Sequence, residues 1–271
     1  MLEFNNMNSL FETTPSVFNN FDKETPELTP VYRVNDYWVK RDDLYQVFDV
    51  VGAKARQAYG IISKSDKDTV VTAGSRFSPQ IQIVANICKN LNKKCRCHTI
   101  RGKDTEELKI AIGDGAEIIH HEDTWHNSVI IARAKKDAEE NNCLNVPFGM
   151  ESWESIYQTA LQTKNLPKEV KHIVITAGSG MNLCGVLWGL ILTNRTDVKV
   201  TAVSVGYNVQ KTLKKYAPTN IQNLTVVKSE LGYEDKVFEK VGDIELDPIY
   251  ESKCVPYLES NCLFWIIGKR R

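Results

Sequence analysis

From residue 69 onward the chain alternates, at short and regular spacing, between apolar runs of strand length and stretches with helical spacing. No other feature constrains its fold as tightly. Strands are predicted at Thr69–Ala73, Lys94–Thr99, Ala116–His120, Leu144–Val146, His172–Thr176 and Lys199–Val205. The stretches between and after them, Pro79–Leu91, Thr105–Ile112, Asn127–Asn141, Ser152–Thr163, Met181–Leu192 and Val209–Tyr216, read as helices. Alternation of this kind produces βαβ units and parallel sheets, whose strands are covered on both faces and so read as runs such as Ile173-Val174-Ile175. Upstream, Val31–Val34 and Tyr37–Lys40 flank Asn35-Asp36 as a short hairpin.

The pattern implies an α/β fold with one continuous β/α series. A small α/β domain is expected at residues 66–147, inserted into a large domain made of 1–65 and 148–271. Residues 1–28 show no period and read as an irregular arm. With 271 residues, 42% apolar and 25% charged, the chain can bury a large core and is not of disordered composition. Its formal net charge is zero, which removes any global electrostatic case for a nucleic-acid or membrane partner. The basic spots Lys214-Lys215 and Lys269-Arg270-Arg271 are local. Seven cysteines, none in a C-x-x-C pair, suit buried thiols in a reducing compartment. With no leader-like segment and no membrane-length apolar window, a cytoplasmic location is expected.

Three stretches can carry chemistry. The first is Gly52-Ala53-Lys54-Ala55-Arg56, a small-residue turn opening a helix through Ala58, Tyr59 and Ile62. A lysine that forms a Schiff base needs little local bulk and a depressed pKa, and Arg56 is the nearby charge expected to favour the neutral amine. The second is Gly178-Ser179-Gly180-Met181-Asn182 between a buried strand and a helix, where free N–H groups and the helix dipole suit a small phosphate. Gly-Lys-Ser/Thr is absent, and no acidic residue ends the next strand at Val205-Gly206, so neither nucleotide fingerprint is met. The third is Ser78-Pro79-Gln80, a helix start with Ser78 as N-cap and Pro79 in the first position, able also to receive a carboxylate. Smaller signals read as ordinary structure. His120, His121, Glu122, Asp123 and His126 form a polar loop rather than a metal site, and Trp125, Trp153 and Trp188 are expected in the core.

Taken in order, these stretches resemble the fold-type II pyridoxal-phosphate enzymes, the tryptophan synthase β-like group of two-lobed open parallel sheets with flanking helices. The branch they are most similar to holds 1-aminocyclopropane-1-carboxylate deaminase and D-cysteine desulfhydrase. The resemblance also takes in Val39–Leu44, Gly232-Tyr233, Asp247–Lys253 and Leu263–Gly268. It implies pyridoxal 5′-phosphate as cofactor, with Lys54 as the internal-aldimine lysine and the acid or base at the substrate α-carbon. Gly178, Ser179, Gly180, Met181 and Asn182 would hold the phosphate. Ser78 would lie near the substrate carboxylate or amine, and Tyr233 and Tyr250 would match the two active-site tyrosines of the deaminase branch. Glu251 would face the pyridine nitrogen and deepen the electron sink. A homodimer is implied as well.

Departures from the family pattern are specific. Ala53 and Pro79 replace asparagines, so Gln80 is the candidate partner for the ring hydroxyl, and Met181-Asn182 replaces Gly-Thr. The sequence is similar in further detail to phage-associated members through Gly74–Gln80, Asn127–Ala134 and Pro147–Glu151. Three functions stay open: a lyase or deaminase of a small amino acid, a decarboxylase or lyase of an amino acid attached to thymidine in DNA, and a catalytically idle small-ligand binder.

Overall fold

The structure, a computed structural model, describes residues 14–268 apart from Tyr207, Asn220 and Gln222. Two sheets organise it. The smaller is built from β3 (Thr69–Ala73), β4 (Lys94–Ile100), β5 (Glu117–His121) and β6 (Leu144–Val146) in the order β5-β4-β3-β6, all parallel. The larger contains β1 (Val31–Val34), β2 (Tyr37–Arg41), β7 (His172–Ala177), β8 (Lys199–Ser204), β9 (Leu224–Lys228) and β10 (Leu263–Ile266), in the order β1-β2-β10-β7-β8-β9. Only the β1–β2 hairpin is antiparallel within it.

The α-helices among the described residues are α1 (Ala53–Ser63), α2 (Pro79–Asn90), α3 (Glu106–Gly113), α4 (Asn127–Glu140), α5 (Trp153–Leu161), α6 (Met181–Leu192) and α7 (Gln210–Tyr216). Of these, α1 joins the two layers. Its Ala55, Ala58 and Ile62 lie in the core of the smaller sheet with Ile81, Val84 and Val146, while Gly60 packs against Gln158 of α5. The short side chains of α1 permit this double contact. On the larger sheet, Ile173, Ile175, Val200, Ala202 and Trp265 pack beneath Leu183, Val186, Leu187 and Leu190 of α6.

The β/α order expected from the sequence is present, with element ends shifted by a residue or two. Two strands of the larger sheet were not anticipated. Leu224–Lys228 forms the far edge, and Leu263–Ile266, from the end of the chain, fills the middle of the larger sheet between β2 and β7. The expected helix Ser152–Thr163 is α-helical only to Leu161 and tightens into a 3₁₀ turn over Gln162–Asn165. Residues 1–13 of the arm lie outside the described residues, but Phe18 and Phe21 of its described part are buried, with Phe18 stacked 5.0 Å from Trp188.

Trp188 and Trp153 belong to that aromatic cluster, whereas Trp125 does not. Trp125 is 55% exposed with the Arg101 guanidinium 4.1 Å above its ring, on the loop that follows the edge strand β5. All seven cysteines are free, and Cys143 is the one that is not buried. No helix among the described residues is long and apolar enough to cross a membrane. Lys215 pairs with Glu151 at 2.8 Å, and Lys269-Arg270-Arg271 lies outside the described residues.

Candidate functional site

In open parallel sheets, ligand sites form outside the carboxyl ends of the strands. The loops that leave those ends here carry Ser78 (after β3), Gly178–Gly180 (after β7), Gly206 (after β8) and Ile267-Gly268 (after β10). Hydrogen bonds and close glycine contacts knit them into one site.

Lys54 is the second residue of α1 and half-buried. The turn before it is fixed by its backbone. Gly52 has φ 93°, in the left-handed region, and an added Cβ would stand 3.3 Å from the Ile267 carbonyl oxygen. The Ala53 N–H donates to that same oxygen at 3.0 Å, so the lysine turn is fastened to the end of β10. Gln57, three residues beyond Lys54 and so on the same helix face, donates to Asn182 Oδ1 at 2.8 Å. The Lys54 face of α1 is thereby turned toward the first turn of α6.

At that first turn, Gly180 has φ 88°, and the leading N–H groups of α6 have no partner within the helix. The Met181 side chain is buried in the aromatic core and the Asn182 amide oxygen is taken by Gln57 and Thr159. What this segment can offer a ligand is therefore its main chain. A Cβ on Gly178 would lie 3.1 Å from the Tyr250 ring, so a side chain there would crowd the tyrosine. No acidic side chain stands in 178–182. This donor set, neutral N–H groups at a helix N-terminus beside a lysine face, fits a phosphate-bearing carbonyl cofactor.

Tyr250 and Tyr233 meet edge to face at 5.9 Å. Tyr233 packs on Gly206, where a Cβ would approach its own Cβ to 2.8 Å. Asp247, treated in the sequence only as part of a turn, sets the Tyr250 backbone: its Oδ1 accepts from the N–H groups of Ile249 (2.9 Å) and Tyr250 (3.0 Å). Glu251 is buried and accepts from the Ile267 N–H at 3.1 Å, which brings it to the same backbone that holds Ala53. Burial, with Asp247 nearby, pushes its carboxyl up to about 8 against the opposing pull of backbone N–H groups.

Two expectations, for Arg56 and Gln80, receive a different physical content. Arg56 is buried and pairs with Asp42 at 2.7 Å, so its charge is compensated by Asp42 and is not a free field on the Lys54 amine. Asp42 also accepts from Thr29 and Trp265, bracing the lysine turn as expected. Ser78 caps α2 by accepting from the Gln80 N–H at 3.3 Å. The Gln80 amide is wholly engaged by protein, donating to Thr72 Oγ1 (3.0 Å) and the Pro147 carbonyl (2.9 Å) and accepting from the Gly149 N–H (2.9 Å). His120 and His121, expected in a polar loop, end strand β5 and have partners: His120 with Asp104, and His121 with His98 and Arg133. No metal-binding group of side chains occurs among the described residues.

Sequence reasoning missed Gln57, Asp247 as a positioning group, and the Ile267-Gly268 backbone. Gln57 had a signal, being one helical turn beyond the lysine. The others depend on contacts remote in sequence.

The family model described as "Pyridoxal-phosphate dependent enzyme" matches residues 23–234. No curated protein matches the sequence. Among solved structures, an "ACC deaminase homologue" superposes with a TM-score of 0.75 at 19% identity, covering 94% of this chain and 95% of that one. The processed form of threonine deaminase isoform 2 from Solanum lycopersicum gives 0.71 at 13% identity, covering 98% and 90%. Escherichia coli diaminopropionate ammonia lyase in its apo form gives 0.65 at 15%, covering 96% and 87%.

Proposed function

Since the chain belongs to the pyridoxal-phosphate-dependent enzymes of fold type II, with pyridoxal 5′-phosphate as its cofactor, we propose that it is a lyase or deaminase acting at the α-carbon of an amino acid, with Lys54 as the cofactor-bearing lysine. The observation that carries this reading is the Gln57–Asn182 bond, which turns the Lys54 face of α1 onto the N-terminus of α6. When bound, the cofactor supplies an electron sink for the pair left on the α-carbon as a bond to it breaks.

The protein's own groups divide the remaining work. The main-chain N–H groups of Gly178, Ser179, Gly180, Met181 and Asn182 bind the phosphate. Ser78 and the N-terminus of α2 receive the substrate carboxylate. Glu251, buried on the Ile267 backbone, holds a proton at the inner end of the site. The Lys54 amine and the hydroxyls of Tyr233 and Tyr250 exchange protons with the substrate. That the fold is shared with a threonine deaminase and an ammonia lyase supports the reaction class.

A visible absorption spectrum before and after borohydride, with peptide mapping, tests it. The expected result is a band that bleaches and leaves a reduced adduct on Lys54, absent in Lys54→Ala. An adduct elsewhere removes Lys54 from its role. No band after adding pyridoxal phosphate favours the idle binder.

A second reading, an amino acid attached to thymidine in DNA, is favoured by one feature. Beside Ser78, the carboxyl edge of the smaller sheet carries Arg76, Arg101, and the exposed rings of Phe77 and Trp125. Bases stack on such aromatic and guanidinium groups. Turnover of a modified oligonucleotide that falls with salt, with free amino acids inert, selects this reading.

A further inference from the structure

Gln80 stands in the first turn of α2, directly behind the loop that carries Ser78, yet its side chain turns inward and is 1% exposed. Its amide clasps the segment that leads from the smaller sheet to α5. The Nε2 group donates to the Pro147 carbonyl and Oε1 accepts from the Gly149 N–H, each at 2.9 Å, so one side chain bonds both sides of the same turn. The remaining Nε2 hydrogen goes to Thr72 Oγ1 at 3.0 Å, and Thr72 donates on to the Val146 carbonyl at 2.9 Å.

The turn held in this way has an unusual backbone. Gly149 (φ 68°) and Met150 (φ 60°) are both left-handed, and Met150 is fully buried in the core beneath α1. A non-glycine residue in that region persists where its surroundings over-determine it. The Gln80 clasp supplies part of that constraint. On its other side the turn touches the phosphate loop: the Gly149 carbonyl accepts from Ser179 Oγ at 3.2 Å, and a Cβ on Gly149 would lie 3.0 Å from the Ser179 Cβ. An unbroken path thus runs from the Ser78 loop through Gln80 and Gly149 to Ser179.

We propose that the Gln80 side chain is a positioning residue that sets the phosphate loop from the opposite sheet, through the Pro147–Met150 turn, and so couples the Ser78 loop to the Gly178–Asn182 loop. The inference rests on the functional reading of those two loops. It assigns Gln80 to the protein framework rather than to contact with the cofactor ring.

The test uses apo-protein and two probes, pyridoxal 5′-phosphate and pyridoxal, which differ only in the phosphate. Gln80→Leu removes every bond of the clasp; Gln80→Glu keeps the acceptor for Gly149; Thr72→Val removes one arm with little change of shape. If the clasp sets the phosphate loop, Gln80→Leu weakens pyridoxal phosphate binding about tenfold, the size of one or two hydrogen bonds, while pyridoxal binding changes less than about twofold. Gln80→Glu lies between Leu and the natural residue, and Thr72→Val gives a smaller loss of the same selective kind. The double variant Gln80→Leu/Thr72→Val is no worse than Gln80→Leu, because both act through one unit.

Equal weakening of both probes, or of neither, overturns the inference while leaving the functional reading intact. Failure of the natural protein to bind pyridoxal phosphate overturns the functional reading, and the inference with it. Should Gln80→Leu not fold, the Thr72→Val and Gln80→Glu ratios decide the matter alone.

Discussion

Lys54, Glu251 and Gln80 show how far residue identity carries. The turn before Lys54 was legible because its residues are small: glycine accommodates φ 93° at Gly52, and Ala53 opens the helix beside it. Arg56 was misread, because a sequence gives the charge and not its partner, and here the partner is a buried aspartate eleven residues before Ala53. Glu251 could be named as the acidic member of the site, but its protonation follows from burial on the Ile267 backbone. With its folded-state pKa raised from 4.5 to about 8, the folded protein binds a proton that the unfolded chain has released between those values. That contribution to stability is fully present below about 4.5 and is lost as pH rises through about 8. Urea unfolding of apo-protein across this window is expected to show a falling component that Glu251→Gln removes. An unchanged pH slope in the variant would place the carboxyl in water.

At the scale of elements, α5 and α6 illustrate packing that the sequence carries without advertising it. Gly185 and Gly189 lie four residues apart on one face of α6. A Cβ on Gly185 would come within 2.4 Å of Thr159 Cβ and 2.9 Å of the Ile156 carbonyl oxygen; on Gly189 it would meet Thr163 at 2.4 Å and the Ala160 carbonyl at 2.7 Å. Two backbones in contact cannot yield as a flexible side chain does. Gly185→Ala is expected to lower the free energy of unfolding by about 1–3 kcal/mol despite alanine's better helix propensity, read from the shift in urea midpoint. A stabilised Gly185→Ala would mean the helices can separate without loss. The same close approach positions the Gly178–Asn182 loop, since Thr159 of α5 also hydrogen-bonds Asn182 in the first turn of α6. The helices and the strands β1 to β8 were legible from the sequence pattern, whereas β9, β10, the 3₁₀ ending of α5 and the clasped Pro147–Met150 turn were not, because these are set by tertiary hydrogen bonds and burial.

For the whole molecule, the decisive element is the last one in the chain. Strand β10 lies between β2 and β7, all four of its residues are buried, and Ile267 just after it bonds Ala53 and Glu251. A chain ending at Ser260 is expected to lose cooperative unfolding and cofactor binding together, because the larger sheet splits at its centre. Calorimetry and circular dichroism of the truncated protein check this, and a retained sharp transition would show β10 to be dispensable. By itself the sequence determined the alternation of strands and helices, the parallel α/β class, the glycine turns with their lysine, and through these the family and cofactor. Each is a local property, fixed by side-chain period or by backbone angles that only certain residues adopt. The tertiary structure alone decided that the final strand is central, that Arg56 is compensated by Asp42, that burial pushes the Glu251 carboxyl up to about 8, and that Gln80 clasps the Pro147–Met150 turn. Those depend on what lies across space from a residue, and burial and partnership are not written in its neighbours along the chain.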